Sequence, residues 1–247
     1  MSELFAETPR SARERLIFAL DVPDRSAAAG YIKTLSGRVG LFKVGLELFV
    51  REGRTVIDDI RAAGAAGVFL DLKLHDIPAT VFRAMENITA LGVDLATVHC
   101  AGQADMLRAA VEGAGGRVRV LGVTVLTSLS AADIRAAGLA EPYASDVGQL
   151  VLKRAEMARE AGCAGVVCSA AEAPRIKERC GPGFLTVTPG IRPEGAAVAG
   201  DDQARAMTPA RAIANGSDYL VVGRPIREAT DPGAAAEAIC RQMASVK

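Results

Sequence analysis

The sequence predicts an α/β protein built as a single (β/α)8 barrel. Eight short apolar runs rich in Val, Ile, Leu and Phe are spaced along 247 residues. Helical stretches separate them, and polar residues gather where the runs end. Continuously hydrophobic, β-branched strands alternating with helices describe a parallel sheet covered by helices on its faces, and a count of eight favours closure into a barrel. A doubly wound open sheet is the alternative. The length fits one barrel domain of about 250 residues. Residues 1–247 are therefore read as one β/α-barrel domain, with a polar extension over 1–14.

In chain order the expected strands lie near 16–22, 41–46, 67–73, 95–100, 119–126, 164–169, 184–189 and 218–223. Between them, helices are expected over 26–36, 51–64, 103–113, 146–161, 171–179, 209–215 and 233–243. One more begins after Pro78, where Val81, Met85 and Ile88 recur at i, i+4 and i+7 and form one apolar stripe. Four junctions share a layout: "RAAGAAGVFLDLK", "TALGVDLATVHC", "REAGCAGVVCS" and "IANGSDYLVVG". Each is a helix end, a glycine (Gly64, Gly92, Gly162, Gly216) and an apolar run, which is a C′ glycine followed by a buried strand. "GAGGRV" near Gly113 reads as a turn.

A barrel places its reactive groups at the C-terminal ends of its strands, where the βα loops converge. In order, those ends supply Asp21, Lys43, Asp71 with Lys73, His99, Thr127 with Ser128, "TPGIRP" and "VGRP". The third end, "FLDLKLHDIPAT", is the most charged. Strand alternation puts Leu70, Leu72 and Leu74 on the helix side and Asp71, Lys73 and His75 on the other, so Asp71 and Lys73 point into the barrel mouth. Taken alone, Asp71 and Lys73 also fit a buried ion pair, Asp76 fits an N-cap for the helix beginning near Pro78, and His75 fits a hydrogen-bonded structural side chain. Lys43 on the adjacent strand extends the pair into an alternating run with Asp76, and near-neutral networks are tolerated where one isolated buried charge is not. The last two ends read as a phosphate site, with Gly190 and Arg192 in one loop and Gly223 and Arg224 in the other.

Composition narrows the function class. The 29 basic and 29 acidic residues cancel and form no like-charge block, which argues against nucleic acid or membrane partners and favours a small metabolite. The first residues are polar and no apolar run reaches about 18 residues, so a cytoplasmic protein is expected. The five cysteines lack C-x-x-C spacing and read as reduced core thiols, and two histidines give little support to a zinc site. There is no G-x-S-x-G elbow, P-loop or post-strand G-x-G-x-x-G.

These residues together strongly resemble the orotidine 5′-phosphate decarboxylase family. The shared elements are "LDV" with Asp21, "FKVGLELF" with Lys43, "DLKLHDIPATV", "VTVLTS", "TPGIRP", "DDQARAMTP" with Gln203, and "VVGRPI". The resemblance implies a homodimeric barrel that converts orotidine 5′-phosphate to uridine 5′-phosphate and carbon dioxide in pyrimidine nucleotide synthesis, using neither metal nor organic cofactor. It implies that Lys73 protonates C6, that Asp71 lies near the substrate carboxylate, that Lys43 orders the network, and that Asp76 enters the partner's site. It further implies that Asp21 and Thr80 bind ribose hydroxyls, with Thr80 reaching across the interface. Thr127 and Ser128 would contact the pyrimidine, while Gln203, Arg192, Gly223 and Arg224 would hold phosphate; Ile77 and Pro189 complete the substrate contacts. Two other readings share the barrel: a magnesium-dependent sugar-phosphate lyase or aldolase in which Asp71 helps hold the metal, and a non-catalytic nucleotide sensor.

Overall fold

In the computed structural model, which describes residues 11–64, 66–194 and 207–246, eight parallel strands close in sequence order, β1 pairing with both β2 and β8. The strands are β1 (Leu16–Ala19), β2 (Leu41–Gly45), β3 (Gly67–Leu74), β4 (Leu95–His99), β5 (Arg119–Val123), β6 (Gly165–Val167), β7 (Leu185–Thr188) and β8 (Tyr219–Val222). All eight fall within or within one residue of the expected runs. Most stop short of the predicted ends, because the apolar sequence continues into loops that line the barrel mouth.

The described helices are α1 (Ala12–Arg15), α2 (Arg25–Leu35), α3 (Leu46–Glu52), α4 (Arg54–Ala62), α5 (Pro78–Ala90), α6 (Ala104–Ala114), α7 (Ala131–Ala136), α8 (Val147–Glu160), α9 (Ala173–Cys180), α10 (Pro209–Ala214), α11 (Arg224–Arg227) and α12 (Pro232–Ala244). The four junction glycines, Gly64, Gly92, Gly162 and Gly216, all have positive φ just past a helix end, the left-handed turn their positions imply.

One expectation needs correction. The helix expected over 51–64 is two helices, broken at Gly53, whose φ of 57° and ψ of −135° interrupt the helical path. The turn read in "GAGGRV" falls at Gly115 and Gly116, and Gly113 lies in α6, within the helix expected over 103–113. Ser11 and Glu14, within the polar extension, form a reciprocal capping box on α1.

Two apolar layers hold the barrel. The larger lies between strands and helices and includes Phe18, Phe42, Leu70, Met85 and Ile239. A smaller one fills the barrel interior with Ile17, Leu41, Phe69, Leu95, Leu121 and Tyr219. The interior is therefore packed at its lower end, and only its mouth is left for polar chemistry. Cys100, Cys163, Cys168 and Cys180 are buried free thiols, and Cys240 is partly buried. Burial raises the Cys163 thiol to about 12, so it stays protonated and inert near neutral pH.

Candidate active site

Charge at the mouth is assembled by neighbouring strands. The register sets Ala19 beside Lys43, Lys43 beside Phe69 and Gly45 beside Asp71. Asp71 thus stands one step above the apolar interior, where its side chain remains 12 % exposed. Lys43 Nζ lies 2.8 Å from Asp21 Oδ1 and 3.8 Å from Asp71 Oδ2, and Lys73 Nζ lies 2.8 Å from Asp71 Oδ2. The order in space is Asp21, Lys43, Asp71, Lys73, with charge alternating at every step. Gly45 leaves room for it: a Cβ there would lie 3.1 Å from Lys43 Nζ and 3.3 Å from Asp21 Oδ1.

Strand alternation along β3 holds up to an irregularity against β4. Leu72 and Leu74 do pack on the helix-side layer, and Asp71 and Lys73 face the mouth. Regular alternation nevertheless ends at a bulge, since Leu70 pairs with Ala96 but Leu74 with Val98. Two more residues of β3 than of β4 are spent between those pairs. Lys73 absorbs the excess with a φ of 52°, the only positive value at a described non-glycine residue. Such a conformation costs on the order of 1–3 kcal/mol and persists where surrounding contacts impose it. Here the Lys73 backbone N–H donates to Thr97 Oγ1 at 2.9 Å instead of to a ladder carbonyl.

Two adjoining cavities open from this network. One, of about 360 Å³, is lined by Asp21, Lys43, Gly190, Arg192, Gly223 and Arg224, with Pro189 and Arg227. The other, of about 260 Å³, is lined by Asp71, Lys73, Thr127 and Ser128 among apolar side chains including Phe69, Val123 and Val167. Lys43, Pro189 and Val221 border both. One end of the mouth therefore suits an anion and the other a flat, partly apolar ring with polar edges. A larger hollow of about 850 Å³ lies on the outer helix layer between α2 and α4, where Arg25 is already paired with Asp59. It lacks a comparable set of reactive groups.

The remaining expected residues stand apart. Asp76, Ile77 and Thr80 are exposed at the start of α5, away from both cavities. Asp76 forms no ion pair with the described residues; its Oδ1 accepts the Ile77 N–H at 2.7 Å. It is not the N-cap of α5 either, a position held by Ile77 with Pro78 following. In a single chain the network's fourth member is thus Asp21 and not Asp76. His75 is exposed and makes no hydrogen bond among the described residues; its ring leans on His99, 5.7 Å between centroids. Burial, then the neighbouring His75, Lys73 and Arg154, lower the His99 imidazole below its ordinary range. Gln203 lies outside the described residues.

Sequence reasoning missed two groups. Thr97, inside β4, bonds both Asp71 and Lys73; strand alternation from Leu95 would have turned it inward. Arg227 lines the anion cavity and donates to the Asp21 carbonyl at 2.7 Å. Its one signal was the three-residue step from Arg224 along a helix.

Comparison with known proteins agrees with this geometry. Residues 14–239 match the model of the "Orotidine 5'-phosphate decarboxylase / HUMPS family". An orotidine 5′-phosphate decarboxylase of Desulfosudis oleivorans is 60% identical over 235 residues, covering 95% of this chain and 94% of that protein. One from Anaeromyxobacter sp. is 52% identical, covering 92% of this chain and 96% of its own length. Among solved structures, orotidine 5′-phosphate decarboxylase from Lactobacillus acidophilus has a TM-score of 0.81 at 36% identity, covering 92% of this chain and 98% of the other. With strand order and near full-length similarity in agreement, the chain belongs to the orotidine 5′-phosphate decarboxylase / HUMPS family.

Proposed function

We propose the following division of labour for decarboxylation of orotidine 5′-phosphate to uridine 5′-phosphate and carbon dioxide, a step of pyrimidine biosynthesis. The observation that carries it is the Lys43–Asp71–Lys73 run between an arginine-lined cavity and a largely apolar one. Phosphate occupies the first, held by Arg192, Gly223 and Arg224 with Gln203, and the pyrimidine enters the second beside Thr127, Ser128, Pro189 and Ile77. As the C6–carboxylate bond breaks, its electron pair remains on C6. The Lys73 ammonium stabilises that charge and then gives it a proton, leaving a neutral amine that solvent reprotonates. Asp71 repels the substrate carboxylate, a repulsion relieved as carbon dioxide departs. Lys43 holds Asp71 and Asp21 in place, and Asp21 binds the ribose. Phosphate, remote from C6, supplies binding energy for positioning.

A cytoplasmic homodimer with shared sites is part of the proposal, as is the action of the whole chain as one catalytic domain. Among the described residues no helix is long and apolar enough to cross a membrane. Among the described residues the exposed large hydrophobics are Leu46, Val50, Ile77, Leu126 and Leu129, all following the mouth ends of β2, β3 and β5, with Val50 80 % exposed. An apolar rim of that kind favours burial against a second chain. It would carry Asp76 and Thr80, idle within their own subunit, to the partner's substrate.

The aldolase-type alternative asks Asp71 to hold a divalent cation, yet two ammonium groups already stand 2.8 and 3.8 Å from its Oδ2 and would repel one. Incubating the chain with orotidine 5′-phosphate and excess EDTA tests the assignment. Loss of the orotate absorbance with formation of uridine 5′-phosphate is expected; a folded enzyme that leaves the absorbance unchanged refutes it.

A further inference from the structure

Thr97 offers one buried hydroxyl to two neighbours on β3. The residue is 1 % exposed, its Oγ1 accepts the Lys73 N–H at 2.9 Å, and it lies 2.9 Å from Asp71 Oδ1. A backbone N–H can only donate, so the hydroxyl's own proton is left for the carboxylate. That fixes the direction of the chain: Lys73 N–H to Thr97, and Thr97 O–H to Asp71.

The two contacts act on the same lysine from both ends. Asp71 uses Oδ1 for Thr97 and Oδ2 for the Lys73 ammonium, 2.8 Å away. Thr97 therefore orients the carboxylate that positions the ammonium, and it also anchors the backbone from which that side chain springs. This anchor falls where the β3–β4 ladder loses its register and Lys73 takes its left-handed conformation. Without the hydroxyl, the bulge would have an unsatisfied N–H, and Asp71 would be able to turn about its Cβ–Cγ bond.

We infer that Thr97 is a positioning residue for proton delivery by Lys73, acting through Asp71 and through the Lys73 main chain and not on the substrate itself. The inference rests on the assignment of Lys73 as the proton donor. It separates from phosphate and pyrimidine binding, because Thr97 is not among the residues lining either cavity.

The test compares wild type, Thr97→Val, Thr97→Ala and Thr97→Ser for kcat and KM on orotidine 5′-phosphate, for uridine 5′-phosphate affinity, and for folded fraction by circular dichroism. Valine keeps the volume and removes the hydroxyl; serine keeps the hydroxyl and removes the methyl. Thr97→Val is expected to lose roughly ten- to a hundredfold in kcat per folded molecule, the scale of a small misplacement of a catalytic group. KM and product affinity should stay within about threefold, and Thr97→Ser should bring kcat back to within about threefold of wild type. If valine fails to fold, alanine against serine makes the same comparison. Wild-type kcat in a folded hydroxyl-free variant overturns the inference, as does a serine variant as slow as the alanine one. An inactive wild type would sink the functional assignment and the inference with it. An active wild type with indifferent hydroxyl-free variants would sink only the inference.

Discussion

Replacing Lys43 by Met removes the central cation of the run while keeping most of its volume. Its ammonium lies 2.8 Å from Asp21 and 3.8 Å from Asp71. At an effective dielectric constant of about 20, those separations correspond to gross attractions of about 6 and about 4 kcal/mol. The net loss is smaller, for two reasons. The Asp21 side chain is 47 % exposed, so solvent screens much of the first attraction, and the lysine's own desolvation cost disappears with it. What remains is Asp71, nearly buried and left with one ammonium where it had two. Removing one partner of a buried pair costs about 3–5 kcal/mol, which solvent access at the mouth brings to about 2–4 kcal/mol here. The assay is equilibrium urea unfolding at one fixed protein concentration, since self-association would otherwise shift the midpoint. The midpoint should fall with little change in slope. Adding Asp71→Asn to the variant should cost less than the two single changes together, because the stranded carboxylate is gone. A Lys43→Met protein as stable as wild type would show that the alternating charges do not support one another, and the network argument would fail.

Other consequences can be checked in parallel. Arg224→Ala should weaken uridine 5′-phosphate binding about ten- to a hundredfold, the worth of a charge-assisted hydrogen bond, and should leave uridine binding within about threefold; equal losses for both ligands would remove Arg224 from the phosphate site. Lys73→Ala and Asp76→Ala should each be nearly inactive alone, yet mixing them with verified subunit exchange should restore part of the activity, because one of two sites then receives both intact residues. No recovery would keep Asp76 out of the neighbouring site. His99 has a folded-state pKa below its unfolded value, so its neutral-form stability is complete above about pH 6.5 and is lost as pH falls through the lowered value. His99→Gln should therefore flatten the decline in stability as pH falls below about 6.5, and an unchanged slope would contradict the burial of His99 as its cause.

Much of this architecture is legible in the sequence because local and global signals coincide. Each of Gly64, Gly92, Gly162 and Gly216 marks both a helix end and the approach of an apolar run, and two independent signals at one junction leave little freedom. Asp71 and Lys43 could be placed by parity because they interrupt runs otherwise too apolar to hold a charge. The failures occur where parity itself stops. The bulge between Leu70 and Leu74 follows from a mismatch with β4, which neither strand's own residues announce. Thr97 was overlooked for a related reason: a threonine suits a strand on propensity alone, and its role depends on what lies opposite. Gly53 divides a helix by its backbone angles while the flanking apolar periodicity runs on. Asp76 is the instructive case: the residue types alone set it in an alternating run with Lys43, Asp71 and Lys73, the family resemblance sends it to a partner's site, and in the folded chain it is exposed and bonded to the Ile77 N–H.

The most direct measurement sets wild type beside Lys73→Ala at saturating orotidine 5′-phosphate in excess EDTA, following orotate absorbance and uridine 5′-phosphate formation together. The wild type should turn over steadily. The variant should still bind uridine 5′-phosphate and yet lose about a thousandfold or more in kcat, within the range expected when a positioned proton donor is removed. A Lys73→Ala enzyme that keeps a tenth or more of wild-type kcat would contradict the role assigned to the charged end of β3.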